Sequence, residues 1–97
     1  LQFWSHDENK IKPNELLKII DCTFNKAVLF DTTQNSWHGL PDPLKCPHDK
    51  YRKSIAVYYL TDVDENFEER YRAQFVPRKE QENNLNIINL CEERSKL

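Results

Sequence analysis

The sequence predicts a small, mainly β protein that ends in one α-helix. Two observations support this fold class. The segment 53–61 (KSIAVYYLT) is rich in β-branched and aromatic residues that alternate between two faces, and 1–5 alternates in the same way. Towards the C-terminus, 80–96 instead has apolar residues at a helical spacing. The order of elements is therefore several strands followed by a helix.

Composition limits the size of this fold and the class of partner. The chain has 97 residues, of which 38% are hydrophobic and 31% are charged, so it can form one domain with a modest core. The formal net charge of −2 gives no basic surface for nucleic acid. No apolar run approaches the roughly 20 residues of a membrane span. A single glycine and the absence of methionine are unusual for this length.

The first half of the chain contains several short elements. A loop is predicted over 7–14, which is polar and contains a proline. The run 15–21 (ELLKIID) is compatible with a helical turn or a strand, because short apolar runs do not separate the two periods. A turn at 25–26 then leads into the β-favouring run 27–30 (AVLF).

The second half is predicted as loop, strand, turn and helix. The region 34–51 contains three prolines, and its Gly39 is the one residue that adopts a positive φ at little cost. After the strand 53–61 come an acidic turn at 62–69 and a short extended segment at 71–77.

The helix is predicted over 80–96 from two kinds of spacing. Leu85, Ile88 and Cys91 follow one another at intervals of three residues. Glu92 precedes Lys96 by four residues, which favours a helix on the surface of the domain.

The three cysteines, Cys22, Cys46 and Cys91, show no paired spacing. Their odd number argues against a disulfide framework, and the lack of a CxxC pair argues against a zinc site. We therefore expect free thiols and a cytoplasmic location.

Three polar residues form the candidate functional group. His38 stands beside the single glycine, and Arg52 and Ser54 lie two residues apart at the start of the strongest predicted strand. In an extended chain, Arg52 and Ser54 point to the same side, where a guanidinium and a hydroxyl can hold a carboxylate. The His38 imidazole is a possible metal ligand close to that anion. Spacing alone leaves open the alternative that all three are ordinary loop and strand residues.

A longer pattern adds a family resemblance. The residues that carry it are Leu29-Phe30-Asp31-Thr32-Thr33, Ser36-Trp37-His38-Gly39, Pro41-Asp42-Pro43-Leu44, Cys46-Pro47, Arg52-Lys53-Ser54-Ile55-Ala56 and Tyr58-Tyr59. This pattern resembles the Fe(II)/2-oxoglutarate-dependent dioxygenases, in the branch related to prolyl 4-hydroxylases. The opening residues 1–4 (LQFW) are similar to the GGxLxLW strand of that branch without its glycines.

The resemblance implies a fold and a set of roles. The implied fold is a partial double-stranded β-helix (a jelly roll, cupin-like) with a C-terminal helix. Residues 1–78 would be the C-terminal part of the oxygenase domain, and 79–97 a helical extension. His38 matches the distal histidine ligand of Fe(II), while Arg52 and Ser54 match the residues that bind 2-oxoglutarate. Ascorbate is a possible reductant, and no further catalytic residue is implied.

The chain departs from the family pattern in its metal ligands. The family takes two more ligands from a His-x-Asp or His-x-Glu motif upstream of the strand that 1–4 resembles. Within the sequence only His6 and Glu8 have this spacing, and they follow that strand in a predicted turn. His48 is expected to be a solvated loop residue. We therefore expect a piece of a hydroxylase that is inactive by itself, with the question of His6 and Glu8 left open.

Other functions and partners stay open at this stage. The alternative is a cupin-like module with a non-catalytic binding or structural role, and a third possibility is a truncated product without function. The expected substrate is a small molecule or a peptidyl group of unknown identity, with no nucleic acid and no membrane as partners. Exposed sheet edges would allow a homo-oligomer.

Overall fold

The computed structural model describes residues 1–33, 36–66 and 73–96. The described elements in chain order are β1 (Gln2–His6), β2 (Pro13–Ile19), β3 (Trp37–Gly39), one turn of 3₁₀-helix (Lys79–Gln81) and α1 (Leu85–Lys96).

The three strands form one antiparallel sheet in the order β2-β1-β3. Phe3 of β1 lies opposite Lys18 of β2 and His38 of β3, and Trp4 lies between Leu16 and Trp37. Leu17 is therefore an extra residue in β2 between the two pairs, which marks a bulge. Because β1 is the central strand, β2 and β3 each keep one edge that faces away from it.

The hairpin between β1 and β2 is closed by a side chain. Asp7 Oδ1 accepts hydrogen bonds from the backbone N–H groups of Ile11 (2.8 Å) and Lys12 (3.2 Å). The Ile11 N–H is the main cause that holds the pKa of Asp7 below its usual value of 3.8, although partial desolvation acts in the opposite direction. Lys10 takes a positive φ of 58° within this turn. The loop predicted over 7–14 is thus present up to the start of β2.

The C-terminal helix begins at an N-cap. Asn84 Oδ1 accepts hydrogen bonds from the backbone N–H groups of Asn86 (3.1 Å) and Ile87 (3.4 Å), so the first turn of α1 has partners for donors that helices leave unpaired. Lys96 Nζ lies 3.8 Å from Glu92 Oε2, the pair expected from the sequence. No helix in the described part of the chain is long and apolar enough to cross a membrane.

The helix packs on the segment that precedes it. The guanidinium of Arg94 lies over the ring of Phe75, 5.8 Å from its centroid. Pro77, Ile88 and Cys91 line the same shallow apolar groove. The helix α1 lies within the region 80–96 where the sequence predicts a helix, but it begins five residues later than the predicted start at residue 80.

The prediction of a mainly β fold with a partial double-stranded β-helix is wrong. Among the described residues the strands have only five, seven and three residues, and they form a single sheet. The strongest predicted strand, 53–61, belongs to no strand, and neither does 27–30. Strand propensity measures how well a segment fits beside a neighbour, and here these segments have no strand neighbour within the described ranges.

Other sequence predictions differ in detail. The run 15–21, left open between helix and strand, lies largely in β2. The region 34–51, predicted as loop, contains β3, and Gly39 takes no positive φ, whereas Asn25 at the predicted turn does (58°). Residues 34–35, 67–69 and 71–72 of these predictions lie outside the described residues, and 73–77 forms no strand.

The molecule is open. None of the described residues is buried. Its accessible surface is 9475 Å², whereas a compact monomer of 11.7 kDa would expose about 5,900 Å². The radius of gyration is 15.7 Å, against about 12.5 Å for a compact chain of this length. The chain therefore exposes about 3,600 Å² more than a compact fold would, much of it apolar.

Candidate functional site

His38 lies in the middle of β3, opposite Phe3 of the central strand. Its side chain is exposed, and its Nδ1 lies 2.6 Å from the carbonyl oxygen of Ser36. Because a carbonyl oxygen only accepts hydrogen bonds, Nδ1 carries the proton and donates a hydrogen bond to the carbonyl oxygen of Ser36. In the neutral imidazole, Nε2 is then the unprotonated nitrogen. A histidine fixed in this tautomer by a carbonyl is arranged as metal-binding histidines are.

Two phenylalanines hold the His38 ring from the side. The centroid of Phe30 lies 4.7 Å from that of His38 and 5.0 Å from that of Phe3, both in edge-to-face geometry. The Phe3 and His38 centroids are 6.0 Å apart. We call Phe3, Phe30 and His38 the aromatic cluster. It attaches the otherwise irregular 27–33 region to the sheet and orients the imidazole.

The aromatic cluster was not found from the sequence. The alternation of 1–5 places Phe3 and Trp4 on opposite faces, which is the only local signal. The contact between Phe3 and His38 depends on the register between β1 and β3, which are more than thirty residues apart in the sequence.

Arg52 and Ser54 lie side by side. Arg52 Nη1 is 3.4 Å from Ser54 Oγ, and both side chains are exposed. The distance is long for a hydrogen bond, so the two groups are close without being tightly paired. Residues two apart share a side in an extended chain, which is the arrangement that the sequence predicts for this pair. The guanidinium and the hydroxyl therefore both remain able to bind an anion.

The loop between His38 and Arg52 is attached to the rest of the fold near its start. Asp42 Oδ2 accepts a hydrogen bond from Gln2 Nε2 of β1 (3.1 Å). The carbonyl oxygen of Pro41 accepts one from Arg78 Nη1, which joins the loop to the segment before α1. Further on, 47–50 forms a turn closed by a backbone hydrogen bond of 2.9 Å.

The structure does not assemble one complete site from the predicted residues. Among the described residues, no hydrogen bond and no ring contact joins His38 to Arg52 or Ser54. His6, at the end of β1, has its Nδ1 2.9 Å from the carbonyl oxygen of Asp7, and Glu8 is exposed in the turn. His48 is exposed, as predicted.

Metal-ligating side chains are not clustered in the described part of the chain. No group of three His, Cys, Asp or Glu residues there could hold a metal ion together. His38 thus meets the requirements of one ligand, while the described residues offer it no partner ligands.

Comparison of this chain with protein-family models, curated proteins and solved structures finds no match. The interpretation of the site therefore rests on its residue pattern and on the geometry given above.

Proposed function

We propose that this chain contributes to the active site of an Fe(II)- and 2-oxoglutarate-dependent dioxygenase, a hydroxylase. In this proposal His38 supplies one iron ligand, and Arg52 with Ser54 binds the distal carboxylate of 2-oxoglutarate. The observation that carries the proposal is the His38 geometry, in which Nδ1 is committed to Ser36 and Nε2 is available on an exposed ring.

The residues fit the metal in part. Fe(II) in such enzymes is held by two histidines and one carboxylate on one face. His38 Nε2 fits one of these positions. Because the described residues contain no cluster of three ligands, the other two would come from polypeptide outside the described residues. His6 and Glu8 keep the spacing of the missing motif, but their described contacts are within their own turn.

The residues also fit one end of the cosubstrate. A guanidinium offers a planar pair of N–H donors that matches a carboxylate, and a neighbouring hydroxyl adds a third donor. Arg52 and Ser54 present these groups 3.4 Å apart on one side of the chain. No ion pair between Arg52 and an acidic residue is found among the described residues, so the charge of Arg52 is not already compensated there.

Each residue has a separate task. Arg52 and Ser54 bind and orient the carboxylate. Phe3 and Phe30 keep the His38 ring in place, and the Ser36 carbonyl oxygen keeps the proton of that ring on Nδ1. The bound iron and cosubstrate, when present, supply the oxidative chemistry that couples decarboxylation to C–H hydroxylation. The chain itself contributes binding and positioning.

Binding of 2-oxoglutarate to the 97-residue chain tests this proposal. Loss of a charged hydrogen bond costs about 1.5 kcal/mol or more, so Arg52→Met should weaken binding about tenfold. Ser54→Ala should weaken it less. Arg94→Met is the matched control, because Arg94 is exposed and lies over Phe75 far along the chain. Equal affinity of Arg52→Met and the unaltered chain in titration calorimetry would remove Arg52 from the site.

Turnover gives a second test. With Fe(II), 2-oxoglutarate and ascorbate, the chain alone should release no succinate above background, because it supplies one ligand of three from its described residues. Sustained succinate release would show that the remaining ligands lie within these 97 residues, and would overturn this division of the site.

A further inference from the structure

The segment 53–61 is an apolar strand sequence without a sheet. It belongs to no strand in the described structure, and every residue in it is exposed. Its large apolar and aromatic side chains are between 70% and 93% accessible, namely Ile55, Val57, Tyr58, Tyr59 and Leu60. A run of exposed apolar and aromatic side chains on a small protein marks an interaction site.

The outer edge of β2, the edge that faces away from β1, offers a matching surface. β2 has seven residues, and among the described strands only β1 pairs with it. Leu17 and Ile19 are 66% and 57% accessible. An uncovered strand edge presents unpaired backbone donors and acceptors to which another extended segment can add.

We propose that 53–61 of one copy of this chain adds antiparallel to the outer edge of β2 in a second copy, and that the same contact occurs in the reverse direction. The proposal goes beyond the function above and does not depend on it. Neither the outer edge of β2 nor the faces of 53–61 requires iron or 2-oxoglutarate to be bound.

Charge complementarity selects the direction and the register. In an antiparallel pairing that places Lys53 opposite Asp21 and sets one residue opposite one along the outer edge of β2, with no shift at Leu17, Asp62 falls opposite Lys12. Both ends of the strand then gain an ion pair. The same register places Ile55 opposite Ile19 and Val57 opposite Leu17. A parallel pairing would instead set the basic start of the segment beside the lysines that precede β2.

The exposed area favours a second copy as the partner. The chain exposes about 3,600 Å² more than a compact monomer, while a stable dimer buries about 800 Å² on each partner. Each copy carries both halves of the contact, one segment and one edge. Two such contacts related by a two-fold axis form a closed dimer rather than an open chain of molecules.

Sedimentation velocity of the 97-residue chain over a range of concentrations tests the proposal. We expect a monomer–dimer equilibrium. Val57→Pro should weaken the dimer at least about tenfold, because proline has no backbone N–H to donate in the middle of the paired segment. Val63→Pro is the matched control, since Val63 is 72% exposed against 70% for Val57 and lies outside the segment. It should dimerise as the unaltered chain does.

A charge exchange tests the register. Lys53→Glu and Asp21→Lys should each weaken the dimer about tenfold, since each places like charges at both symmetric contacts. The double variant should recover the original affinity. Recovery supports the register, whereas additive weakening overturns it.

Two results would overturn the proposal itself. One is a monomer at every concentration, and the other is a dimer that Val57→Pro leaves as strong as Val63→Pro does. The substituted residues are Asp21, Lys53, Val57 and Val63, and none of them belongs to the proposed 2-oxoglutarate site. A failure of the dimer is therefore distinguishable from a failure of that site.

Discussion

Replacing Phe30 by alanine should loosen the attachment of 27–33 to the sheet and release the His38 ring. Phe30 is half-buried, and it makes edge-to-face contacts with both Phe3 and His38 at centroid distances of 5.0 and 4.7 Å. Each aromatic contact contributes about 0.5–1.5 kcal/mol. Because the ring is only partly buried, the loss should stay below the roughly 3–5 kcal/mol of a fully buried Phe→Ala change.

The expected cost of Phe30→Ala is therefore about 1–2 kcal/mol. With a slope near 1 kcal/mol/M for a chain of this size, the urea midpoint should fall by about 1 M or more. The ring signals of His38 in NMR spectra should shift as well, since its closest aromatic neighbour is removed.

Phe24→Ala is the matched control for this change. Phe24 is 100% exposed, so its removal should alter stability by no more than about 0.5 kcal/mol and leave the His38 signals unchanged. An equal loss of stability in the two variants, or unchanged His38 ring signals in Phe30→Ala, would contradict this role of Phe30.

Two further predictions concern the ends of elements. Asn84→Ala removes the N-cap of α1, so it should lower the stability of the helix by about 1 kcal/mol and weaken the helical circular dichroism signal. The control is Asn89→Ala, an exposed position within α1, which should raise helicity. A rise in helicity in both variants would contradict the N-cap. Because the pKa of Asp7 is lowered in the folded chain, its contribution is present above the usual value of 3.8 and is lost as pH falls below it through the folded pKa. The amide of Ile11 should report that midpoint in an NMR titration and lose it in Asp7→Asn; a midpoint at or above 3.8 would contradict it.

The elements that depend on local patterns were predictable. The alternation of 1–5 is present as β1, and the helical spacing of 80–96 is present as α1. The two-residue spacing of Arg52 and Ser54 likewise predicts that they lie side by side, as they do.

Elements that depend on distant partners were not predictable. β3 has only three residues and exists because β1 pairs with it, so a scan of 34–51 shows loop residues alone. The error at 53–61 is the reverse case, since a strong strand pattern has no strand beside it in the described structure. The fold implied by the family resemblance failed for the same reason, because a jelly roll requires two sheets and the described residues form one small sheet.

We propose that His38 and the Arg52–Ser54 pair belong to one metal and 2-oxoglutarate site. Mn(II), which takes the place of Fe(II) and broadens nearby NMR signals, tests it directly in the 97-residue chain. With 2-oxoglutarate present, Mn(II) should broaden the ring signals of His38 more than those of His6 and His48, and Arg52→Met should abolish this difference. Equal broadening of the three histidines, or an Arg52→Met variant that behaves as the unaltered chain, would contradict the claim.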